Sequence, residues 1–160
     1  MQLYEMHFIS ANRINCEQSD RAARGKSGST FTNAFFADKI HGGPMAGRVN
    51  YQAADYQCIR PGELWQCNWL EETGTICSLV YDIPNKKITT LLGFSAGHWN
   101  NPEKAHGDKR NPEDLERGRA LAKEGKSQAD RKLLHDQAKI AENFKGLGDL
   151  QDVDESWPTL

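Results

Sequence analysis

The chain has 160 residues and a net charge of −2 at pH 7, with acidic and basic residues spread along its length. This length suits one domain around one hydrophobic core, so we expect a single domain over residues 1–160. The chain lacks the basic field that binds nucleic acid, an apolar run near the roughly 18 residues of a membrane span, and the pattern of a secretory signal. We therefore expect a cytoplasmic protein without nucleic-acid or membrane partners.

Four cysteines are present, and none has the C-x-x-C spacing typical of a structural zinc site. Without a secretory signal, we expect free thiols rather than disulfides. Three of the thiols fall in apolar strand-like segments and are expected to be small core residues, namely Cys58, Cys67 and Cys77.

The N-terminal third divides into a weakly alternating segment and a polar one. Residues 2–9 alternate as a strand does, whereas residues 11–32 are nearly free of apolar side chains and indicate a mobile loop. The loop contains "GKS" (Gly25–Ser27), which resembles the end of a phosphate-binding loop. Asp20 stands where that motif requires glycine, so nucleotide binding is disfavoured.

Residues 48–95 contain five short runs rich in β-branched and aromatic residues: "RVNYQ", "ADYQCIR", "ELWQCNWLE", "TICSLVYD" and "KITTLLGFS". Pro61-Gly62 fits the two central positions of a type II turn, where glycine adopts positive φ at low cost. Runs so closely spaced predict an antiparallel meander, as in a barrel or sandwich.

The last third of the chain has helical signals. Asn111 is suited to cap a helix that stops at Gly125. Ser127 is suited to cap a second short helix, "QADRKLLHD", and residues 138–144 are expected to form a closing strand. In the acidic tail, the apolar Trp157 indicates that the tail docks on the domain.

The segment "ELWQCNWLEE" is the most informative strand. Side chains alternate between its faces, so Trp65, Cys67 and Trp69 share the inward face and Gln66 and Asn68 the other. The inward face ends at Glu71. Burial raises the pKa of a carboxyl group, so a carboxyl there could hold a proton near neutral pH and deliver it. The alternative is that Glu71 only begins the turn into "TG".

Two further groups of polar residues could form a site. In an antiparallel meander, Arg48 could approach Glu71, either to pair with it or to hold a substrate carboxylate. Four potential metal ligands lie in "GHWNNPEKAHGDKR", but their spacing matches no known ligand motif, so a solvated loop is favoured over a metal site. They are His98, Glu103, His106 and Asp108.

The segments "IHGGPMAGR", "LWQCNWLEETGT" and "IPNKK" resemble the phenolic acid decarboxylase family. The stretch "GFSAGHWNNPEKAHGDKRNPEDLERGRALAKEG" and the tail "SWPTL" are similar to its fungal members, and the resemblance covers roughly residues 36–160. It implies a flattened, lipocalin-like antiparallel β-barrel, with two short helices in the C-terminal third here. It also implies a homodimer without cofactor or metal, which converts p-coumarate, ferulate and caffeate to vinylphenols and CO₂.

By position, the resemblance makes Arg48 and Glu71 the catalytic pair. It places Ile40, Met45, Trp69 and Cys77 as substrate-binding residues, and Asp136 where the family often carries a second acid. The implied reaction protonates the alkene carbon next to the substrate carboxylate, and the phenol then loses its proton to give a quinone methide. Loss of CO₂ restores the aromatic ring. Glu71 suits the acid, and Arg48 suits its charge partner.

The N-terminal segment departs from the family. Ser10 and Asn12 stand where the family has two tyrosines that hold the substrate carboxylate, and the strand that should follow is replaced by the polar loop. This departure keeps a second interpretation open, a non-catalytic lipocalin-like binder of small aromatic molecules. His41 is expected to serve the glycine-rich turn rather than catalysis.

Overall fold

The structure, a computed structural model, describes residues 6–10, 32–40, 45–140 and 157–160, with side chains for Ile40 and for the last two ranges. These ranges form seven strands in one sheet, ordered as in the chain. The strands are β1 (Met6–Ser10), β2 (Thr32–Ile40), β3 (Val49–Arg60), β4 (Leu64–Leu70), β5 (Ile76–Asp82), β6 (Lys87–Ser95) and β7 (Arg131–Lys139). The described helices are α1 (Ala96–Asn100), a 3₁₀ turn (Pro102–Ala105) and α2 (Pro112–Leu121).

The predicted antiparallel meander is confirmed, because each strand pairs antiparallel with the next along the chain. The outer strands β1 and β7 are not paired with each other in the described ranges, so the sheet is not closed into a barrel there. The predicted strand over residues 2–9 is seen from Met6 onwards. The polar segment predicted as a mobile loop lies outside the described residues, except for Thr32 at the start of β2.

One face of the sheet carries the core. Along β6, Ile88, Thr90, Leu92 and Phe94 are buried, while Lys87, Thr89 and Leu91, which alternate with the first three, are exposed. The strand register aligns the inward residues of neighbouring strands in rows, of which one is Ala54, Trp69, Cys77 and Leu92. Each fully buried large apolar side chain stabilises such a core by about 1.5–3 kcal/mol.

The alternation predicted for β4 is confirmed at its C-terminal half. Cys67 and Trp69 are buried, whereas Trp65, the second residue of the strand, is only half-buried. On the opposite face, Gln66 donates to Asn68 Oδ1 at 3.2 Å and to Ser78 Oγ at 3.1 Å, which ties the polar face of β4 to β5. Two turns use glycine as the sequence predicts, with φ of 71° at Gly62 and 78° at Gly74.

The second predicted helix is wrong. The residues "RKLLHD" belong to β7, which pairs with β6 over its whole length, from Lys87 opposite Lys139 to Ser95 opposite Arg131. Most of its residue types have favourable helix propensity, but nine residues of backbone pairing outweigh that weak preference. The predicted strand over residues 138–144 overlaps β7 only at its start, and residues 141–156 lie outside the described ranges.

The first predicted helix is confirmed as α2. Asn111 Oδ1 accepts from the Glu113 N–H at 3.1 Å, and the helix ends at Leu121, before the predicted stop at Gly125. The "GHW" segment, predicted as a solvated loop, instead forms α1 with Gly97 and His98 buried. Two helices are therefore present in the described ranges, but one of them precedes the last third of the chain.

The tail docks as predicted. The Trp157 ring lies 5.7 Å from the Tyr51 ring, measured between centroids, and the Thr159 carbonyl accepts from Lys109 Nζ at 2.9 Å. The Leu160 carbonyl accepts from the Arg119 guanidinium on α2. The last residues are thus fixed to β3, to α2 and to the segment between the helices.

We predict that Gly97→Ala destabilises the protein, because the added Cβ would lie 2.2 Å from the Leu121 carbonyl oxygen. Overpacking against backbone costs about 1–3 kcal/mol. Gly93→Ala is the matched control, since its nearest neighbour would lie at an ordinary 3.7 Å. Urea unfolding measures both variants, and equal unfolding free energies for the two would contradict the close packing of α1 on α2.

Candidate functional site

Glu71 lies in the turn that follows β4. Its N–H donates to the Thr75 carbonyl at 2.9 Å, and its carbonyl accepts from the Gly74 N–H at 2.8 Å. Glu71 therefore does begin the turn, as one interpretation of the sequence held. Its carboxylate is nevertheless buried, with 8% of the residue exposed, so the turn aims a charged group into the domain.

Arg48 ends the turn between β2 and β3, and its carbonyl accepts from the Ile40 N–H at 3.0 Å. Its Nη2 donates to Glu71 Oε2 at 3.0 Å and to Glu72 Oε1 at 2.9 Å, and its Nη1 donates to the Ala105 carbonyl at 2.6 Å. The predicted approach of Arg48 to Glu71 is confirmed. Because both terminal nitrogens bind protein groups, the geometry favours pairing over a hold on a substrate carboxylate.

Glu72 is the second carboxylate of the site, and its Oε2 accepts from Gln52 Nε2 at 2.8 Å and from Lys109 Nζ at 3.2 Å. Burial by itself would raise the pKa of Glu72, but Arg48 and Lys109 outweigh it and hold that pKa below its usual value. Burial lowers the pKa of Lys109 to about 8, against the opposing attraction of Glu72.

Two acids and two bases thus form one buried group. Exposed fractions are 4% for Arg48, 8% for Glu71, 5% for Glu72 and 4% for Lys109. We call these four residues the charge quartet. Their charges cancel when all four are ionised, which is the condition under which buried charges are tolerated.

The two oxygens of Glu71 have different neighbours. Oε2 accepts from Arg48 and, at 3.3 Å, from Thr73 Oγ1. Oε1 accepts from Asn50 Nδ2 at 3.3 Å, from Trp69 Nε1 at 3.3 Å and from Cys77 Sγ at 3.6 Å. The carboxylate therefore has one ion-paired oxygen and one oxygen held by longer, weaker contacts.

The structure brings most of the sequence-predicted site residues together. Four of them pack in one apolar cluster, either within it or against it: Ile40, Met45, Trp69 and Cys77. Asp136 is placed apart, on β7 opposite Thr90. Its carbonyl accepts from Thr90 Oγ1 at 3.2 Å and its carboxylate from the Gln137 N–H at 2.7 Å, so the structure does not bring it to Glu71.

His98 was predicted in a solvated loop but is 2% exposed. Its ring Nδ1 lies 2.7 Å from Thr75 Oγ1, and its backbone N–H donates to Ser95 Oγ at 3.2 Å. Burial, followed by the charge of Arg48, lowers the pKa of His98 to about 3, so the ring is neutral near pH 7. In the described part of the chain, no three His, Cys, Asp or Glu side chains group as metal ligands do.

Sequence reasoning missed Glu72, Lys109, Asn50 and Gln52. Asn50 and Gln52 alternate along β3 and were visible as polar residues on one face of a strand, which is a signal for a buried polar partner. Glu72 follows Glu71 directly. In a strand the two side chains would point to opposite faces, but the turn at this position brings both carboxylates to the same site. Lys109 carried no usable signal, because its position depends on the path between α1 and α2.

Several residues named in the sequence analysis lie outside the part of the chain that the structure describes. His41, Asn12 and Cys16 lie in residues without described structure, and the side chain of Ser10 is not described. The other three cysteines are free thiols, as expected. Burial raises the pKa of the Cys67 thiol to about 12, which makes it a core residue rather than a nucleophile.

No protein-family model matches the chain, and no curated protein matches it. Among the helices that the structure describes, none is long and apolar enough to span a membrane.

We predict that Lys109→Met destabilises the fold strongly, because it leaves the buried carboxylate of Glu72 with one cation instead of two. Breaking a buried ion pair from one side costs about 3–5 kcal/mol. Lys123→Met, at an exposed position after α2, is the matched control. Chemical unfolding measures the unfolding free energy of both variants. If Lys109→Met loses as little stability as the control, Lys109 is not needed to neutralise the buried carboxylates.

We predict that His98 makes the fold sensitive to acid. The unfolded chain binds a proton at His98 near pH 6.5, whereas the folded protein does so only at about pH 3. This contribution to stability is complete above pH 6.5 and is lost as the pH falls, at up to about 1.4 kcal/mol per pH unit. Unfolding free energies between pH 7 and pH 5 should therefore fall more steeply in wild type than in His98→Gln. Parallel slopes would exclude a buried neutral His98.

Proposed function

We propose that this chain is a cofactor-free, non-oxidative decarboxylase of para-hydroxycinnamic acids such as p-coumarate, ferulate and caffeate, which it converts to vinylphenols. The observation that carries the proposal is the buried Arg48–Glu71 pair at 3.0 Å. Its carboxylate lies against Trp69 and Cys77, at the edge of the apolar cluster. The motif resemblance described above supplies the substrate class.

In the proposed reaction, Glu71 gives a proton to the alkene carbon next to the substrate carboxylate. The electron pair of the C=C bond forms the new C–H bond, and the phenol releases its proton to solvent to give a quinone methide. The bond to the carboxylate carbon then breaks and CO₂ leaves, while its electron pair forms the vinyl C=C bond and the ring becomes an aromatic phenolate again. The phenolate takes back a proton from solvent, and one further proton reloads Glu71, so the sum consumes one proton.

Arg48 acts in this scheme by stabilising the charge that Glu71 acquires when it gives up its proton. The 3.0 Å contact is the arrangement expected after that transfer. An ion pair that becomes strong only as charge develops lowers the barrier, because it is worth little while the carboxyl group is neutral. Glu72 holds Arg48 from the other side at 2.9 Å, so the guanidinium does not have to reorganise.

The lipocalin-like closure of the sheet, the homodimer and the absence of a cofactor belong to the same proposal and rest on the resemblance. The two tyrosine positions occupied by Ser10 and Asn12 favour the second candidate function, a binder of small aromatic acids without turnover. Loss of the cinnamate absorbance on mixing the protein with p-coumarate separates the two candidates. Saturable binding without loss of absorbance would establish the binder.

We predict that Glu71→Gln lowers kcat on p-coumarate by about 10² to 10⁴, which is the usual contribution of a general acid. The amide keeps the size of the side chain but has no transferable proton. Glu63→Gln is the matched control, since Glu63 is exposed and pairs only locally with Arg60 at 3.1 Å. Vinylphenol formation is the measurement, and wild-type turnover by Glu71→Gln would remove Glu71 from the mechanism.

A further inference from the structure

A chain of hydrogen bonds connects Glu71 to His98. Thr73 Oγ1 lies 3.3 Å from Glu71 Oε2, Thr75 Oγ1 lies 3.1 Å from Thr73 Oγ1, and His98 Nδ1 lies 2.7 Å from Thr75 Oγ1. Thr73 and Thr75 are 0% and 1% exposed. The chain is therefore closed to solvent along its length, and the mechanism above makes no use of it.

The direction of the chain follows from counting protons. A threonine hydroxyl has one proton and can donate once, and an ionised carboxylate only accepts. If Glu71 is ionised, Thr73 donates to it and Thr75 must donate to Thr73. The remaining contact then requires that His98 donate from Nδ1–H to the Thr75 hydroxyl.

The other ring nitrogen agrees with this direction. His98 Nε2 is buried and has no hydrogen-bond partner among the described residues. A buried acceptor without a partner is tolerated better than a buried N–H without one. The neutral ring, whose low pKa was described above, therefore carries its proton on Nδ1. The reversed chain would need a proton on Glu71 Oε2 and an unpartnered N–H at His98 Nε2.

We propose that His98 is a positioning residue for Glu71, acting through Thr75 and Thr73 to hold Oε2 as a hydrogen-bond acceptor in a fixed place. This assignment deepens the proposed decarboxylation and rests on it, whereas the direction of the chain does not depend on it.

Two sets of contacts support this role. Arg48 Nη2 donates to Oε2 at 3.0 Å, so the ion pair and the chain hold the same oxygen. Oε1 accepts from Trp69 and Cys77, two of the residues that the resemblance places at the substrate. By fixing Oε2, Arg48 and the chain also fix the edge of the carboxylate that lies beside those two residues.

His98 is held firmly enough for this role. Its ring packs edge-on against Phe94 with centroids 5.1 Å apart. Its backbone is capped by Ser95, whose hydroxyl also donates to the Thr73 carbonyl at 2.6 Å. Two connections therefore join helix α1 to the Glu71 turn: the hydrogen-bonded side chains of His98, Thr75 and Thr73, and the Ser95 hydroxyl. Together they fix the distance between His98 and Glu71.

The first test is independent of turnover. Nitrogen NMR of the ¹⁵N-labelled protein near neutral pH reports which ring nitrogen of His98 carries the proton. We expect the proton on Nδ1 in wild type and in Thr75→Ser. In Thr75→Val, where Nδ1 has lost its acceptor, we expect a mixture of both tautomers. A wild-type proton on Nε2, or the same tautomer in Thr75→Val as in wild type, would overturn the directed chain.

The second test uses p-coumarate turnover. Thr75→Val should lower kcat by about tenfold, because it removes a hydrogen bond from the chain that positions Glu71. The KM should change little. Thr75→Ser should restore most of that loss. Wild-type kcat in a folded Thr75→Val protein would overturn the positioning role, and a loss of kcat that Thr75→Ser shares would do the same.

The two failures are distinguishable. A wild-type protein that turns over no para-hydroxycinnamate refutes the proposed function, and the tautomer of His98 still decides whether the chain points at Glu71. If Thr75→Val does not fold, Thr75→Ala removes the same hydroxyl and replaces it in both measurements, and the wild-type tautomer decides the direction of the chain without any variant.

Discussion

The structure depends on one constraint, which is that two adjacent buried carboxylates must be neutralised inside the domain. Glu71 and Glu72 are neighbours in sequence and both lie out of solvent, so Arg48 alone leaves one negative charge in excess. Lys109 removes that excess. Paired buried charges contribute little net stability, but an unpaired one is costly. The charges therefore specify which turns and segments must meet, more than they hold them together.

This requirement explains how distant segments are joined. Arg48 comes from the turn between β2 and β3, the two acids from the turn between β4 and β5, and Lys109 from the segment before α2. The Arg48 guanidinium also binds the Ala105 carbonyl at the end of the 3₁₀ turn. Helix α2 closes over the quartet at Gly118, where an added Cβ would lie 2.7 Å from Glu72 Cγ. A glycine there lets the helix approach closely enough to exclude water.

The sequence was sufficient for features set by local pattern. Alternation in "ELWQCNWLE" placed Cys67 and Trp69 inward, and Asn111 capped α2 as its side-chain chemistry requires. It was insufficient where pairing between distant segments decides. Residues 131–139 consist mostly of residue types with favourable helix propensity, yet they form a strand because they pair with the edge of β6. The burial of His98 could not be read from its sequence, because it depends on α1 packing against the Glu71 turn.

The buried polar groups converge on a single carboxylate from two sides. On one side, Arg48 and the chain from His98 both end at Oε2, and each is fixed by groups of its own: Glu72 for Arg48, and Ser95 for His98. On the other side, Oε1 accepts over longer distances from Asn50, Trp69 and Cys77. The two oxygens therefore have different surroundings, and donors on both sides fix the orientation of the carboxylate. Dipoles and charges that are already oriented in this way need no reorganisation to stabilise the charge of the carboxylate.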